Sequence, residues 1–260
     1  MRVVIMGSGT SLGVPVIGCK CDVCTSSDLR NKRTRASICV QTASGKNILV
    51  DTATELRLQA VRNDVPSVEM ILFTHYHADH IHGLDDVRVF NWTSQGSIPC
   101  YGDDATIERL RRVFFYAFEH DYSWGAIPHI TLKPMPAELW LEEVCITPMK
   151  IFHGQAQALG FRFNDAAYLT DCSAIPAESL EQLKGLRLLI IGALRYKPHP
   201  THFNLEGALK AIEEIGPERA LLTHLSHDFD HEKLSSSLPP YVEASYDGQL
   251  AELPPQGGTT

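Results

Sequence analysis

Four metal-ligand side chains crowd into the segment Thr74-His75-Tyr76-His77-Ala78-Asp79-His80. The segment directly follows the apolar run 70–73, which is typical of a buried β-strand. Imidazole and carboxylate together suit Zn²⁺, Mn²⁺ or Fe, and a polar turn without a metal does not need so many ligands at this spacing. The spacing therefore predicts a metal site at the end of a strand, where open α/β sheets bind their ligands.

Single ligand-type residues follow three later apolar runs. His153 comes after 144–152, Asp171 after 166–170, and His224 after 220–223. Each alone is a weak signal, because a lone His or Asp at a strand end is more often a cap or a satisfied core residue. Four strand ends that all carry ligands predict one shared metal centre.

A second cluster places three cysteines within Gly18-Cys19-Lys20-Cys21-Asp22-Val23-Cys24. Three thiolates make three quarters of a tetrahedral zinc site. A redox pair of Cys21 and Cys24 is the alternative, but it has no thioredoxin-like βαβ context and leaves Cys19 unexplained. We predict a structural zinc with His227 as the fourth ligand, because one turn then serves both this zinc (His227) and the strand-end centre (His224).

The length and composition indicate one soluble α/β domain over residues 1–252, with a disordered tail at 253–260. Apolar residues make up 44% of the chain and charged residues 21%, and no run is long enough to span a bilayer. The seven cysteines are an odd number, and the N-terminus lacks an export signal. Both features favour reduced thiols, and therefore a cytoplasmic protein.

The net charge of the chain limits the kinds of partner that it is expected to bind. A formal net charge of −8 disfavours broad attraction to nucleic acid, so we expect a small-molecule substrate. We also expect a homodimer.

Hydrophobic periodicity predicts mixed strands and helices along the whole chain. The predicted strands are 1–6, 37–41, 47–51, 68–74, 186–191 and 219–223, with further strands before His153 and Asp171. The predicted helices are 54–63, 104–120, 176–184 and 204–215, the last with Asn204 as its N-cap. The aromatic segment 114–124 is predicted to cap the active site or a dimer interface, although packed core is the plainer explanation.

The order H-x-H-x-D-H, His, Asp, His resembles the metallo-β-lactamase superfamily of dinuclear metallohydrolases. The resemblance implies a four-layer αββα sandwich and two divalent metals, Zn²⁺ or Mn²⁺. It implies that Asp171 and a hydroxide bridge the metals, and that Asp51 orients a ligand histidine from outside the site. The implied ligands are His75, His77 and His153 for one metal, and Asp79, His80 and His224 for the other.

Within the superfamily, the chain resembles the cyclic-phosphate phosphodiesterases of the bacterial carbon–phosphorus lyase pathway, over residues 5 to 248. The loop Gly9-Thr10-Ser11-Leu12-Gly13-Val14-Pro15, the cysteine cluster and the segment 51–57 carry this likeness. It implies that His202 donates a proton to the departing oxygen or steadies the phosphate, acting with Asp79 and Asp171. A surface histidine is the alternative for His202. Arg195 and Lys197 are candidates for binding a second phosphate.

We therefore predict a metal-dependent phosphodiesterase that hydrolyses a small, cyclic or nucleotide-like phosphodiester by attack of a metal-bridging hydroxide. A tRNA 3′-end-processing endonuclease shares the metal motif, but its basic RNA-docking arm has no counterpart in this sequence. A thioester, lactone or β-lactam hydrolase is a further alternative. The last alternative is a non-enzymatic protein that only holds metal, which would require one of the metal ligands to be misplaced.

Overall fold

Two mixed β-sheets form the centre of the fold in the computed structural model, which describes residues 1–94, 96–118 and 126–254. The first sheet has, in spatial order, β14 (Leu250–Glu252), β1 (Arg2–Gly7), β2 (Ser37–Gln41), β3 (Asn47–Val50), β4 (Met70–Leu72), β5 (Ile98–Gly102) and β6 (Ile130–Pro134). The second has β13 (Val242–Ala244), β12 (Arg219–Thr223), β11 (Leu188–Gly192), β10 (Ala166–Leu169), β9 (Ala156–Phe163), β8 (Val144–His153) and β7 (Leu139–Leu141).

Short helices connect and cover these strands. They are α1 (Asp22–Thr25), α2 (Leu56–Arg62), α3 (Ala78–Ile81), α4 (Asp104–Val113), α5 (Ala177–Gln182), α6 (Leu205–Ile215) and α7 (His231–Ser237), with 3-10 helices at Leu29–Asn31, Leu84–Trp92 and Phe115–Ala117. No helix in the described ranges combines the length and apolar character that crossing a membrane requires.

The side chains of each strand alternate between two hydrophobic layers, because successive residues point to opposite faces of a sheet. In β2, Ile38 and Val40 belong to the cluster between the sheets, together with Phe161 and Ile190 of the second sheet. Cys39 of the same strand packs on the outer side of the first sheet. Both faces of the sheet are therefore buried, which explains the nearly continuous apolar runs in the sequence.

Helices cover the two outer faces. Leu56 of α2 and Leu110 of α4 pack on the first sheet, whereas Leu183, beside α5, Ile212 of α6 and Leu234 of α7 pack on the second. The predicted four-layer αββα sandwich is confirmed.

Strand direction brings the functional segments to one edge of the sandwich. β3 and β4 are parallel, and so are β10, β11 and β12, so that within each sheet these strands end on the same side. The two sheets are joined at this edge by a hydrogen bond of 2.8 Å from the Leu159 N–H in β9 to the Thr74 carbonyl after β4. The chain segments that follow β4, β10 and β12 can therefore meet.

The observed helix boundaries agree only in part with those predicted from the sequence. Asn204 caps α6 as predicted, since its side chain accepts a hydrogen bond from the Gly207 N–H. The prediction of a helix over 104–120 is wrong at its end, because α4 stops at Val113. Phe114 leaves the helical region (φ −109°, ψ 38°) and buries its ring in the outer layer of the first sheet. The 3-10 helix Phe115–Ala117 follows, and residues 119–124 of the aromatic segment lie outside the described residues.

The C-terminal boundary lies later than predicted. Leu253 is buried against the first sheet, and its N–H donates to the Met1 carbonyl at 2.9 Å. The ordered contacts therefore include the first residue of the predicted tail, while 255–260 lie outside the described residues.

The buried carboxylate of Asp247 joins three segments near the end of β1. It accepts hydrogen bonds from the N–H and Oγ of Ser8, from the N–H and Oγ1 of Thr34, and from Nη1 of Arg62. The Asp247 side chain is 2% exposed, so water cannot replace these contacts.

Replacing Asp247 by alanine should lower the free energy of unfolding by about 3 kcal/mol, since several buried donors lose their acceptor. Urea unfolding followed by circular dichroism measures this loss. Glu252→Ala removes an exposed carboxylate from β14 and should cost less than about 0.5 kcal/mol. Equal losses in the two variants would contradict the structural role of Asp247.

Candidate metal centre

The segment after β4 carries its ligand-type side chains into the edge between the sheets. His75 and His80 are buried, and α3 begins directly after His77 and includes Asp79 and His80. The Nε2 atom of His75 lies 2.9 Å from Nδ1 of His77. Two ring nitrogens this close can face one ion together.

The buried carboxylate of Asp171 lies at the centre of the cluster. Its Oδ2 is 3.8 Å from Nε2 of His75 and 3.8 Å from Nε2 of His153. Its Oδ1 is 3.3 Å from Nε2 of His80 and 3.2 Å from Nε2 of His224. The two oxygens thus face two separate groups of imidazoles.

The donor atoms accordingly form two adjoining groups, each with its atoms within 4.8 Å of one another, and Asp171, His202 and His224 form a third group that overlaps both. The first group is His75, His77, His153 and Asp171, and the second is Asp79, His80 and His224. These are the residues that the resemblance assigns to two metals, with Asp171 between them.

Hydrogen bonds from outside the cluster fix the ring orientations. His80 donates from Nδ1 to Oδ2 of Asp51 at 2.7 Å, and His153 donates from Nδ1 to the Thr201 carbonyl at 2.8 Å. Asp51 itself is held by the N–H and Oγ1 of Thr74, both at 2.8 Å. The bonds made by His80 and His153 place the proton of each ring on Nδ1 and leave Nε2, on the side of Asp171, free to bind a metal.

Unpartnered nitrogen atoms show that the cluster suits a cation. Nε2 of His80 and both ring nitrogens of His224 are buried without a hydrogen-bond partner. Burial lowers the pKa of His75 well below its usual value, so this ring is neutral and can offer a lone pair. For Asp171 burial alone would raise the pKa, but the imidazoles of His224 and His80 outweigh it and hold the pKa well below its usual value. A neutral imidazole at His75 and an ionised carboxylate at Asp171 fit a divalent metal.

His202 lies directly against this centre. Its ring stacks on His224 at 4.9 Å between centroids and lies 4.7 Å from the ring of His153. Its Nδ1 is 3.9 Å from Oδ2 of Asp171. Burial and the charge of His224 lower the pKa of His202 to about 3. The structure thus brings His202 together with the residues that the resemblance assigns to the metals.

A cavity of about 300 Å³ opens beside His202. Its lining includes His202 and His224 together with Thr10, Ser11, Arg195 and His199. Arg195 donates from Nε and Nη2 to the carbonyls of Lys197 and Pro198, which holds its guanidinium at the wall. The Lys197 side chain is exposed and does not line the cavity, so only Arg195 of this predicted pair lies at the site.

The cysteine cluster closes around His227. Nδ1 of His227 is 3.3 Å from Sγ of Cys19, 3.6 Å from Sγ of Cys21 and 3.4 Å from Sγ of Cys24. A tetrahedral zinc with bonds of about 2.3 Å to sulfur and about 2.0 Å to nitrogen separates these atoms by roughly 3.5 Å. The donor set therefore fits zinc.

A buried arginine links the cysteine loop to the turn that carries His224 and His227. Arg33 is 1% exposed and donates from Nη1 to the Ser226 carbonyl and from Nη2 to the Phe229 carbonyl. Its backbone pairs with Val14 at 2.8 Å in both directions. In the sequence, Arg33 lies in the basic run 30–35, which is typical of a solvated loop and does not indicate a buried role.

The chain is similar to known proteins both in sequence and in structure. A family profile described as "Beta-lactamase superfamily domain" matches residues 46–225. The crystal structure of a new diphosphatase from the PhnP family is 39% identical, has a TM-score of 0.90 and covers 97% of each chain.

Two curated relatives match over part of their own length. An octanoyltransferase of Porphyromonas gingivalis is 38% identical over 263 residues, which is 99% of this chain and 52% of that protein. Coenzyme PQQ synthesis protein B of Methylobacterium radiotolerans is 27% identical over 172 residues, 55% of this chain and 56% of that protein. The chain spans about half the length of these curated relatives.

The profile covers most of the chain, including the segments that follow β3, β4, β10 and β12, and the relative of 39% identity matches it almost from end to end. The chain therefore belongs to the beta-lactamase superfamily and, within it, to the PhnP family.

Proposed function

We propose that the chain is a metal-dependent hydrolase of small phosphodiesters, such as a cyclic sugar phosphate or a nucleotide-like diester. The observation that carries the proposal is the division of ligands by Asp171, whose two oxygens face two imidazole groups at 3.2–3.8 Å. A carboxylate shared in this way suits a pair of metals, and paired metals suit displacement at phosphorus.

The residues that would hold the metals are those of the two groups around Asp171. Divalent metals bound there would lower the pKa of a water molecule and offset the negative charge of a phosphate. Histidine and aspartate accept Zn²⁺ or Mn²⁺, whereas three thiolates around His227 would select zinc for the separate structural site.

The chain's own residues would supply orientation and hydrogen bonding. Asp51 and the Thr201 carbonyl hold the rings of His80 and His153, so little reorganisation is needed when substrate binds. His202 stacks on the metal-ligand candidate His224 and lines the cavity, where its neutral ring can donate a hydrogen bond to the departing oxygen.

A diphosphate bond is the second candidate substrate. The 39% identical relative is described as a diphosphatase, and hydrolysis of either bond places water's oxygen on phosphorus while another oxygen departs. The Porphyromonas gingivalis relative is named an octanoyltransferase, but this chain corresponds to only about half of that protein. That name therefore does not assign an octanoyltransferase activity to this chain.

The zinc- or manganese-loaded protein should hydrolyse bis(p-nitrophenyl) phosphate, and removal of the metal by a chelator should abolish turnover. His202→Ala should lower kcat by about 100-fold or more, the usual effect of losing a group that donates to the leaving oxygen. His129→Ala, an exposed histidine at the start of β6, is the matched control and should leave kcat unchanged.

Assays with a β-lactam and a thioester complete the panel. Hydrolysis of a carbonyl substrate together with inactivity toward every phosphoester would contradict the proposal and favour the carbonyl-hydrolase alternative.

Asp51→Asn should weaken metal retention at the paired site by about 10- to 100-fold, because the amide cannot accept the His80 proton in the same way. Chelator titration followed by elemental analysis measures the retained metal, and zinc held by Cys19, Cys21, Cys24 and His227 should stay bound. Asp104→Asn, at an exposed position in α4, serves as the control. Identical titration curves for the two variants would be evidence against an orienting role of Asp51.

A further inference from the structure

A second histidine, His199, lines the same cavity as His202. The two ring centroids are 5.2 Å apart, and both residues bound the space that opens beside the metal ligands.

The backbone fixes the tautomer of His199. The Thr201 N–H donates to Nδ1 of His199 at 3.3 Å, and Oγ1 of Thr201 lies 3.2 Å from the same nitrogen. A nitrogen that accepts an N–H cannot carry a proton, so a neutral ring holds its proton on Nε2. Within the described ranges, no hydrogen bond occupies Nε2.

The charge of the cavity wall favours an anion beside His199. The guanidinium of Arg195 is fixed there by the carbonyls of Lys197 and Pro198. Asp228 also lines the cavity but is more exposed than the half-buried Arg195, so water screens the charge of Asp228 more strongly. The wall thus offers a fixed neutral N–H donor and a fixed positive charge.

We propose that His199 is a specificity-determining residue, whose Nε2–H donates to an oxygen of the phosphate that departs from a diphosphate bond. The inference rests on the proposed function and names the leaving group that the cavity takes. His202 would face the bridging oxygen, and His199 and Arg195 the oxygens of the departing phosphate.

The balance of the reaction suits this arrangement. Water's oxygen forms the new bond to the attacked phosphorus and keeps one proton, while its other proton passes to solvent. The bond to the bridging oxygen breaks with its electron pair on the departing phosphomonoester. The charge that develops is spread over oxygens that accept hydrogen bonds, so fixed donors in the cavity wall stabilise it. An alcohol leaving group would place no comparable charge near His199.

Two variants distinguish a His199 that donates a hydrogen bond to the substrate from a His199 that only supports the Thr201 backbone. His199→Asn keeps a polar atom near the Nδ1 position and removes Nε2, whereas His199→Gln keeps an N–H near the Nε2 position and loses the Nδ1 acceptor. The metal-loaded variants are compared on diadenosine diphosphate, which releases AMP, and on bis(p-nitrophenyl) phosphate. Metal content is measured for each variant.

In His199→Asn, kcat/KM for diadenosine diphosphate should fall about 10- to 100-fold more than kcat/KM for bis(p-nitrophenyl) phosphate, as expected for a lost hydrogen bond to a charged group. His199→Gln should restore the ratio to within about threefold of the wild-type value. In the zinc-loaded protein, nitrogen-15 NMR should find the His199 proton on Nε2.

The opposite pattern, an unchanged ratio in His199→Asn with general loss of activity in His199→Gln, would overturn the inference and leave His199 as a support for Thr201. A proton on Nδ1 would also overturn it. Wild-type protein that cleaves bis(p-nitrophenyl) phosphate but not diadenosine diphosphate would refute the inference while preserving the proposed function. Inactivity toward both probes would refute both.

Discussion

The carboxylate of Asp171 is the constraint on which the rest of the centre depends. It is 3% exposed, and its two oxygens face imidazoles that come from both sheets. An ionised carboxylate in such a place is costly unless positive charge or strong donors surround it. The fold supplies ring nitrogens in two groups, and several of these have no partner of their own. The buried charge and the unpartnered nitrogens can be satisfied together by metal cations.

The backbone pays a conformational cost to deliver these side chains. Asp51, Asp171 and His224 each follow a strand closely, and each has a positive φ, of 62°, 49° and 57°. Non-glycine residues adopt this left-handed conformation at roughly 1–2 kcal/mol each. The strands are packed between two hydrophobic layers. This packing fixes the strand ends and holds the strained turns that follow them in place.

Much of the centre was predictable because ligand chemistry is carried by side chains at strand ends. The motif 75–80, the single residues His153, Asp171 and His224, and the pairing of the cysteines with His227 all follow from residue type and position. The Thr201 carbonyl could not be found in this way, since it orients His153 through a backbone atom 48 residues away. The burial of Arg33 and the end of α4 at Val113 likewise depend on tertiary packing, which overrides local sequence preference.

Anomalous diffraction at the zinc edge from crystals of the zinc-loaded chain tests the central claim most directly. The account predicts one peak on each side of Asp171, among the two ligand groups, and a third among Cys19, Cys21, Cys24 and His227. A zinc-loaded crystal with a peak at the cysteines and no pair beside Asp171 would contradict it.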